Sequence, residues 1–207
     1  MSKNLAITIN RQFGSGGHEI GELLARKLDI AFIDKELIAE TAMDSGLAES
    51  LIESFDEKLS KSFLYSLVLG LNHEKPGSDE YELPLPQKIF LAEHNAIQTI
   101  AREKSAVFVG RCADYVLRDI ADQIRVFVYA PLEARIARIM ERRKVDRDKA
   151  ADLIHKVDTR RSSYYAYYTE KKWACPENYD LCINSSLCGI SGTVEIIDSI
   201  VSACRRE

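Results

Sequence analysis

The 207-residue sequence has no stretch of eighteen apolar residues, so no membrane span is expected from it. It has no excess of positive charge either. The 28 Lys and Arg stand against 32 Asp and Glu, a net charge of −4, which argues against a chain that binds nucleic acid with its whole surface. No C-x-x-C pair occurs, and five cysteines (Cys112, Cys175, Cys182, Cys188, Cys204) and four histidines are scattered, so no metal site is expected on spacing. The opening MSKNLAITIN lacks the basic start, longer apolar core and cleavage site of a secretory leader. The cytoplasm is then the expected compartment, with the thiols reduced. Prolines number only five, and three fall in the polar stretch 72–86, which reads as an exposed loop. One more absence is local: RQFGSGGHEIG, residues 11–21, has the glycines of a phosphate-cradling loop but no lysine after the last of the cluster.

What is present alternates between strand and helix. LAITIN (5–10), AFID (31–34), AVFVG (106–110), IRVFVYA (124–130) and YDLCIN (179–184) are short and apolar, and read as buried strands. Between them, HEIGELLARKL places Ile20, Leu23, Leu24 and Leu28 at helical spacing. Residues 35–71 also read as helical, with a turn near DSGL. Further helices are expected over QKIFLAEHNAIQTIAREK, PLEARIARIMERRK, DRDKAADLIHKVDTRRSSYYAYY and SGTVEIIDSIVSACRRE, the last capped by Ser191 or Thr193. Buried strands alternating with helices imply a single α/β domain around a parallel sheet covered on both faces. Ligands of such sheets bind beyond the carboxyl ends of the strands, where the glycine stretch falls.

A strand, a glycine turn and a helix start make an anion site, because backbone N–H groups and the helix dipole face the ligand. The Walker pattern is G-x-x-x-x-G-K-[ST]. Set without gaps on Gly14, Ser15 and Gly16, its first glycine falls on Arg11, its lysine on Gly17 and its hydroxyl residue on His18. A one-residue insertion puts His18 at the lysine instead. The blander reading is a glycine turn that packs helix on strand.

With these residues in view the chain resembles the cytidylate kinase-like family, relatives of the P-loop nucleoside monophosphate kinases. The resemblance is carried by ITINRQFGSGGHEIGELLARKL, FIDKELI, VFVGRCADYVL and DTRRSSYYAYYTEKKWACPENYDLCINSS, and spans nearly the whole chain. It implies a P-loop NTPase-type three-layer sandwich with a five-stranded parallel sheet. It further implies an acceptor-binding insert at about 35–104 and a lid at about 133–163. The implied reaction moves a phosphoryl group from ATP, with Mg²⁺, to a nucleoside monophosphate, CMP or dCMP first. Such chemistry is mostly positioning and charge neutralisation.

The resemblance assigns phosphate binding to Gly14, Ser15, Gly16, Gly17 and His18, and acceptor binding to Asp34, Lys35 and Arg111. It departs from the kinase pattern at three places: the missing lysine, DKE where the kinase has D-[ST]-G, and Cys112 where it has aspartate. Residues 125–161 carry eleven Lys and Arg against six Asp and Glu. Within them Arg138 and Arg142 match the lid's phosphate-contacting positions. Together with Arg11 they are the catalytic candidates, and Arg135, Arg143, Arg160 and Arg161 are further lid candidates. For each arginine a solvated helix surface or an ion pair is the alternative. Tyr164, Tyr165, Tyr167, Tyr168 and Trp173 form an aromatic group that cannot share one helix face, read as core packing plus a homodimer contact. The competing functions are a nucleotide sensor without turnover and a nucleic-acid binder that stacks bases on those tyrosines.

Overall fold

The computed structural model describes residues 4–43 and 85–204. The sequence readings for 44–84, including most of the helix over 35–71 and the proline-rich loop, lie outside the described residues. Five strands form one parallel sheet: β1 (Leu5–Arg11), β2 (Ala31–Ile33), β3 (Ala106–Val109), β4 (Asp122–Tyr129) and β5 (Leu181–Asn184). Their order is β2-β3-β1-β4-β5, so β1 is central and its carboxyl end lies between those of β3 and β4. The register pairs Ile9 with Val109 on one side and Val126 on the other.

Strand alternation divides the core in two. Ile7, Ile9, Val107 and Val109 face α1 (Gly17–Leu28) and α7 (Ser185–Cys204), against Ile20, Leu24, Val194, Ile197 and Val201. Ala6, Ala106 and Phe108 face the opposite layer. That layer holds α2 (Lys35–Ala42), α3 (Leu85–Glu103) and the short α4 (Ala113–Val116), with Ile38, Ile97 and Val116. This is a three-layer sandwich. Each fully buried side chain of this size contributes roughly 1.5–3 kcal/mol relative to exposure. The remaining pair, α5 (Leu132–Arg143) and α6 (Arg147–Thr169), packs on itself through Ile136, Ile139, Ala150 and Ile154 and reaches Phe13 of the glycine loop.

One local reading changes. The closing helix starts at Ser185 rather than at a Ser191 or Thr193 cap. It breaks at Gly189 (φ 67°, ψ −173°), and the Thr193 hydroxyl donates to the Gly189 carbonyl across the break. By length and composition α7 would pass as a membrane span, with mean hydropathy 1.5. It nevertheless buries Val194, Ile197 and Val201 on the sheet, and its Glu195 and Asp198 pair with Lys27 of α1.

Candidate functional site

The glycine loop leaves β1 at Arg11 and enters α1 at Gly17. Gly14 and Gly16 both have φ of +84°, a left-handed conformation that side chains disfavour, and Gly16 is the N-cap of α1. Gly14 has a second constraint: a Cβ there would lie 3.0 Å from the Arg135 carbonyl oxygen of α5. The loop is also tied from outside. The Ser15 hydroxyl donates to the Gln12 and Val128 carbonyls, and the Ser185 hydroxyl donates to the Ser15 carbonyl at 2.6 Å. Ser15 is therefore turned inward, and its role is to hold the loop rather than to offer a hydroxyl to a ligand.

Over the loop lies a cavity of about 120 Å³ lined by Gly14, Gly16, Gly17 and His18, and by four arginines, Arg11, Arg138, Arg142 and Arg161. They come from β1, α5 and α6, so three elements distant in sequence aim positive charge at one helix start. Arg161 donates to the Arg11 carbonyl at 2.9 Å. Glu19, in the first turn of α1, accepts from Arg138 at 2.5 Å and lies 3.7 Å from Arg142.

Other arginines in this group do different work. Arg135 is buried, and donates to the carbonyls of Ala130 and Phe13 and to Asp158 at 2.6 Å. Asp158 also accepts from the Phe13 N–H at 2.7 Å, so Arg135 and Asp158 together fasten α5 and α6 to the loop. Arg143 is exposed at the end of α5. Arg160 lines a second cavity of about 460 Å³ with Pro86, Gln87, Ser163, Tyr164, Tyr167 and Tyr168, apart from the glycine loop. Arg135, Arg143 and Arg160 thus do not line the loop cavity, whereas Arg138, Arg142 and Arg161 do.

His18 lines the cavity edge, but its Nε2 lies 3.2 Å from Asp34. Asp34 caps α2 by accepting from the Leu37 N–H at 3.1 Å. Burial pushes its carboxyl upward, yet the bonds from Leu37 and His18 outweigh that and hold it below the usual range. Lys35 is half-buried and pairs with its neighbour Glu36 in the first turn of α2.

Arg111 stands at the end of β3, beside Gly110. It forms an ion pair, though not at the surface: its Nη2 lies 3.2 Å from Glu93, which is 1% exposed, and its guanidinium sits over the Tyr164 ring. Burial raises the Glu93 carboxyl, opposed by Arg111 and by the Tyr164 hydroxyl that donates to it. Asp114 is buried too, accepting from Asn10 and Tyr165. Tyr164, Tyr165 and Tyr168 thus pack within the chain, Tyr168 stacked on Phe90 at 3.8 Å, and Tyr167 is left 66% exposed. Trp173 packs on Phe127. Glu19, Glu93 and Asp158 carry no local signal as site residues, because each acts through a partner distant in sequence: Arg138 lies 119 residues from Glu19, Tyr164 lies 71 from Glu93 and Phe13 lies 145 from Asp158.

The fold itself defines a class, the P-loop kinase type: a five-stranded parallel sheet with its glycine loop after a central first strand. The sequence profile of the cytidylate kinase-like family matches residues 6–187, and the chain belongs to that family. The chain is 29% identical to a cytidylate kinase of Desulfurococcus amylolyticus over 112 residues, which span 54% of this chain and 60% of that enzyme. An uncharacterized protein from Eubacterium ventriosum ATCC 27560 has the same fold at TM-score 0.73 and 27% identity, covering 96% of this chain and 99% of the other. A shikimate kinase from Bacteroides thetaiotaomicron is similar in fold alone, at TM-score 0.52 and 15% identity over 96% of this chain and 98% of its own.

Proposed function

We propose that this protein transfers a phosphoryl group from ATP to a nucleoside monophosphate, with CMP or dCMP the first acceptors to try. The observation that carries this reading is the convergence of Arg11, Arg138, Arg142 and Arg161 on the glycine loop at the carboxyl edge of the sheet. The loop's left-handed glycines expose backbone N–H groups, the start of α1 adds its dipole, and the arginines neutralise charge on the transferring group. The helix pair α5–α6 would serve as the lid that keeps water out, and α2 and α3 would lie on the acceptor side.

These residues fit a nucleotide's phosphates. They fit a protein-held Mg²⁺ less well: in the gapless register the hydroxyl position is His18, already engaged by Asp34. Among the described residues no group of three His, Cys, Asp or Glu is placed to hold a metal ion. A bound Mg²⁺ would supply charge neutralisation from the nucleotide's own phosphates. The Gly16 N-cap and the helix start at Gly17 support the gapless register, in which the lysine is absent. Turnover of CMP with ATP is therefore slow in this reading.

The decisive experiment couples ATP consumption to a panel of CMP, dCMP, UMP and AMP. ATP-dependent phosphorylation of any of them supports the reading, and none above background leaves the sensor without turnover. The second reading draws on Glu19, which holds Arg138 and Arg142 in ion pairs on the face a phosphate would need. Calorimetric binding of ATP without turnover separates it from the first. A homodimer through Tyr167 belongs to either reading, and sedimentation as a monomer at micromolar concentration would remove it.

A further inference from the structure

Gly17 has no backbone reason to be glycine. It sits in the first turn of a helix, outside the left-handed region occupied by Gly14 and Gly16. Its reason is space: a Cβ there would lie 2.5 Å from the Arg11 Cβ and 2.9 Å from its Cγ. Neither atom is the free end of a flexible side chain, so neither can step aside cheaply. At the other end of the same side chain, a Cβ on Gly110 would collide with the Arg11 Nη1. The Arg11 side chain thus runs from the start of α1 to the end of β3, over two glycines.

Among the described residues its charge has no bonded counterpart. The buried Nε has no hydrogen-bond partner among them, and the charges that act on it most strongly are those of Arg161 and Arg111. Burial first, then those two cations, lower its pKa well below the ordinary guanidinium value, with Glu36 and Asp34 opposing more weakly. A buried, unpartnered guanidinium on the wall of a cavity needs an anion.

We propose that the loop's cation has been transposed: Arg11, where the Walker pattern has its first glycine, supplies the charge of the missing lysine, and Gly17, where it has lysine, is glycine to make room. The exchange is reciprocal, so neither residue can revert alone. The transposed cation also has a different reach. Its guanidinium lies against Gly110 beside Arg111, toward the acceptor end of the sheet, so it faces the group in transit between donor and acceptor. This inference rests on the reading that the cavity takes a nucleotide's phosphates.

The test is a reversal. Four proteins, wild type, Arg11→Gly, Gly17→Lys and the double variant, are compared by calorimetry with ATP and with pyrophosphate, and by thermal melting. Each single variant should weaken ATP binding by at least about ten-fold, or about 1.4 kcal/mol. Gly17→Lys should also melt lower, because its stem collides with Arg11. The double variant should regain binding to within about three-fold of wild type, the non-additivity expected of groups sharing one site. A fifth protein, Arg11→Gln, separates function from folding: it should lose affinity yet melt at or above wild type, since a buried unpaired charge has been removed.

A double variant that loses the product of both single losses overturns the transposition. So does an Arg11→Gly protein that binds ATP like wild type, in which case Arg138, Arg142 and Arg161 carry the phosphates and the proposed function stands. A wild type that binds neither ATP nor pyrophosphate at millimolar concentration sinks the proposed function, and the transposition with it.

Discussion

The Arg138 guanidinium donates to the Glu19 carboxylate at 2.5 Å, joining α5 to the first turn of the glycine-loop helix. The acid stands where a phosphate oxygen would compete for the same donor, and it also lies 3.7 Å from Arg142. Glu19→Gln should therefore release both arginines and tighten ATP or pyrophosphate binding. Ion pairs this open to solvent are worth about 0.2–1 kcal/mol, or roughly up to five-fold in affinity. Calorimetry at two salt concentrations measures it. Weaker binding in the variant would mean that Glu19 orients the arginines instead of occupying them.

Arg111 and Glu93 form the second relationship with consequences for variants. Arg111→Ala would leave the Glu93 carboxyl buried with, among the described residues, only the Tyr164 hydroxyl donating to it. Breaking a buried pair from one side costs about 3–5 kcal/mol. At about 2–4 °C per kcal/mol for a chain of this size, the melting temperature should fall by roughly 6–20 °C. Adding Glu93→Gln should recover much of the loss, because a neutral amide needs no counter-charge. Differential scanning calorimetry of wild type, the single and the double variant decides it. A single variant that melts like wild type would show that Glu93 takes up a proton at little cost.

The strands and the glycine loop were legible in the sequence because their signals are local. Short β-branched runs mark a buried sheet, and Gly14–Ser15–Gly16 followed by an amphipathic helix marks an anion site. The arginines were legible as a cluster but not one by one. Arg135, Arg138, Arg142 and Arg143 share a broad helix face, yet Arg135 is buried on Asp158, Arg138 and Arg142 line the cavity and Arg143 faces solvent. Which of them reaches the cavity depends on how α5 packs, and α5 packs on α6 through Ile136 and Ile139 against Ala150 and Ile154. Gly17 looked like the loss of a lysine. Its dependence on Arg11 required the side-chain path, which no spacing rule encodes.

Acid should weaken the sheet edge at β4 and β5. Asp180 accepts from the Arg125 backbone N–H at 2.8 Å, from its Nε at 3.1 Å and from its Nη2 at 2.6 Å. Burial pushes the Asp180 carboxyl up, but these bonds prevail and hold it below the ordinary carboxylate range. Its folded pKa is thus lower than its unfolded one. The stability it contributes is complete above the unfolded value of about 3.9 and is lost as pH falls through the folded value. Asp180→Asn should melt lower than wild type at pH 6, and the difference should shrink toward pH 3. A difference that stays constant across that range would assign the effect to packing rather than to ionisation.

Asp158 offers the sharpest test of whether the helix pair acts as a lid. One oxygen accepts from the Phe13 N–H of the loop and the other from Arg135 of α5, both in partly buried surroundings. Asp158→Ala removes both anchors at once. Among the described residues it leaves the Arg135 guanidinium, 10% exposed, with only the Ala130 and Phe13 carbonyls. Loss of stability alone would fit a merely structural residue, so the informative readout is proteolysis with and without ATP. In wild type, ATP should protect the α5–α6 connection around Lys144, because Arg138 and Arg142 on α5 and Arg161 on α6 all line the same cavity. In Asp158→Ala the unliganded cleavage rate should rise several-fold, since the pair has lost its tie to the loop, and ATP should restore part of the protection. Arg138→Ala should do the reverse, with near wild-type resistance when unliganded and little gain from ATP. If both variants respond to ATP as wild type does, α5 and α6 are a fixed part of the fold and closure over the glycine loop is not how this protein holds its ligand.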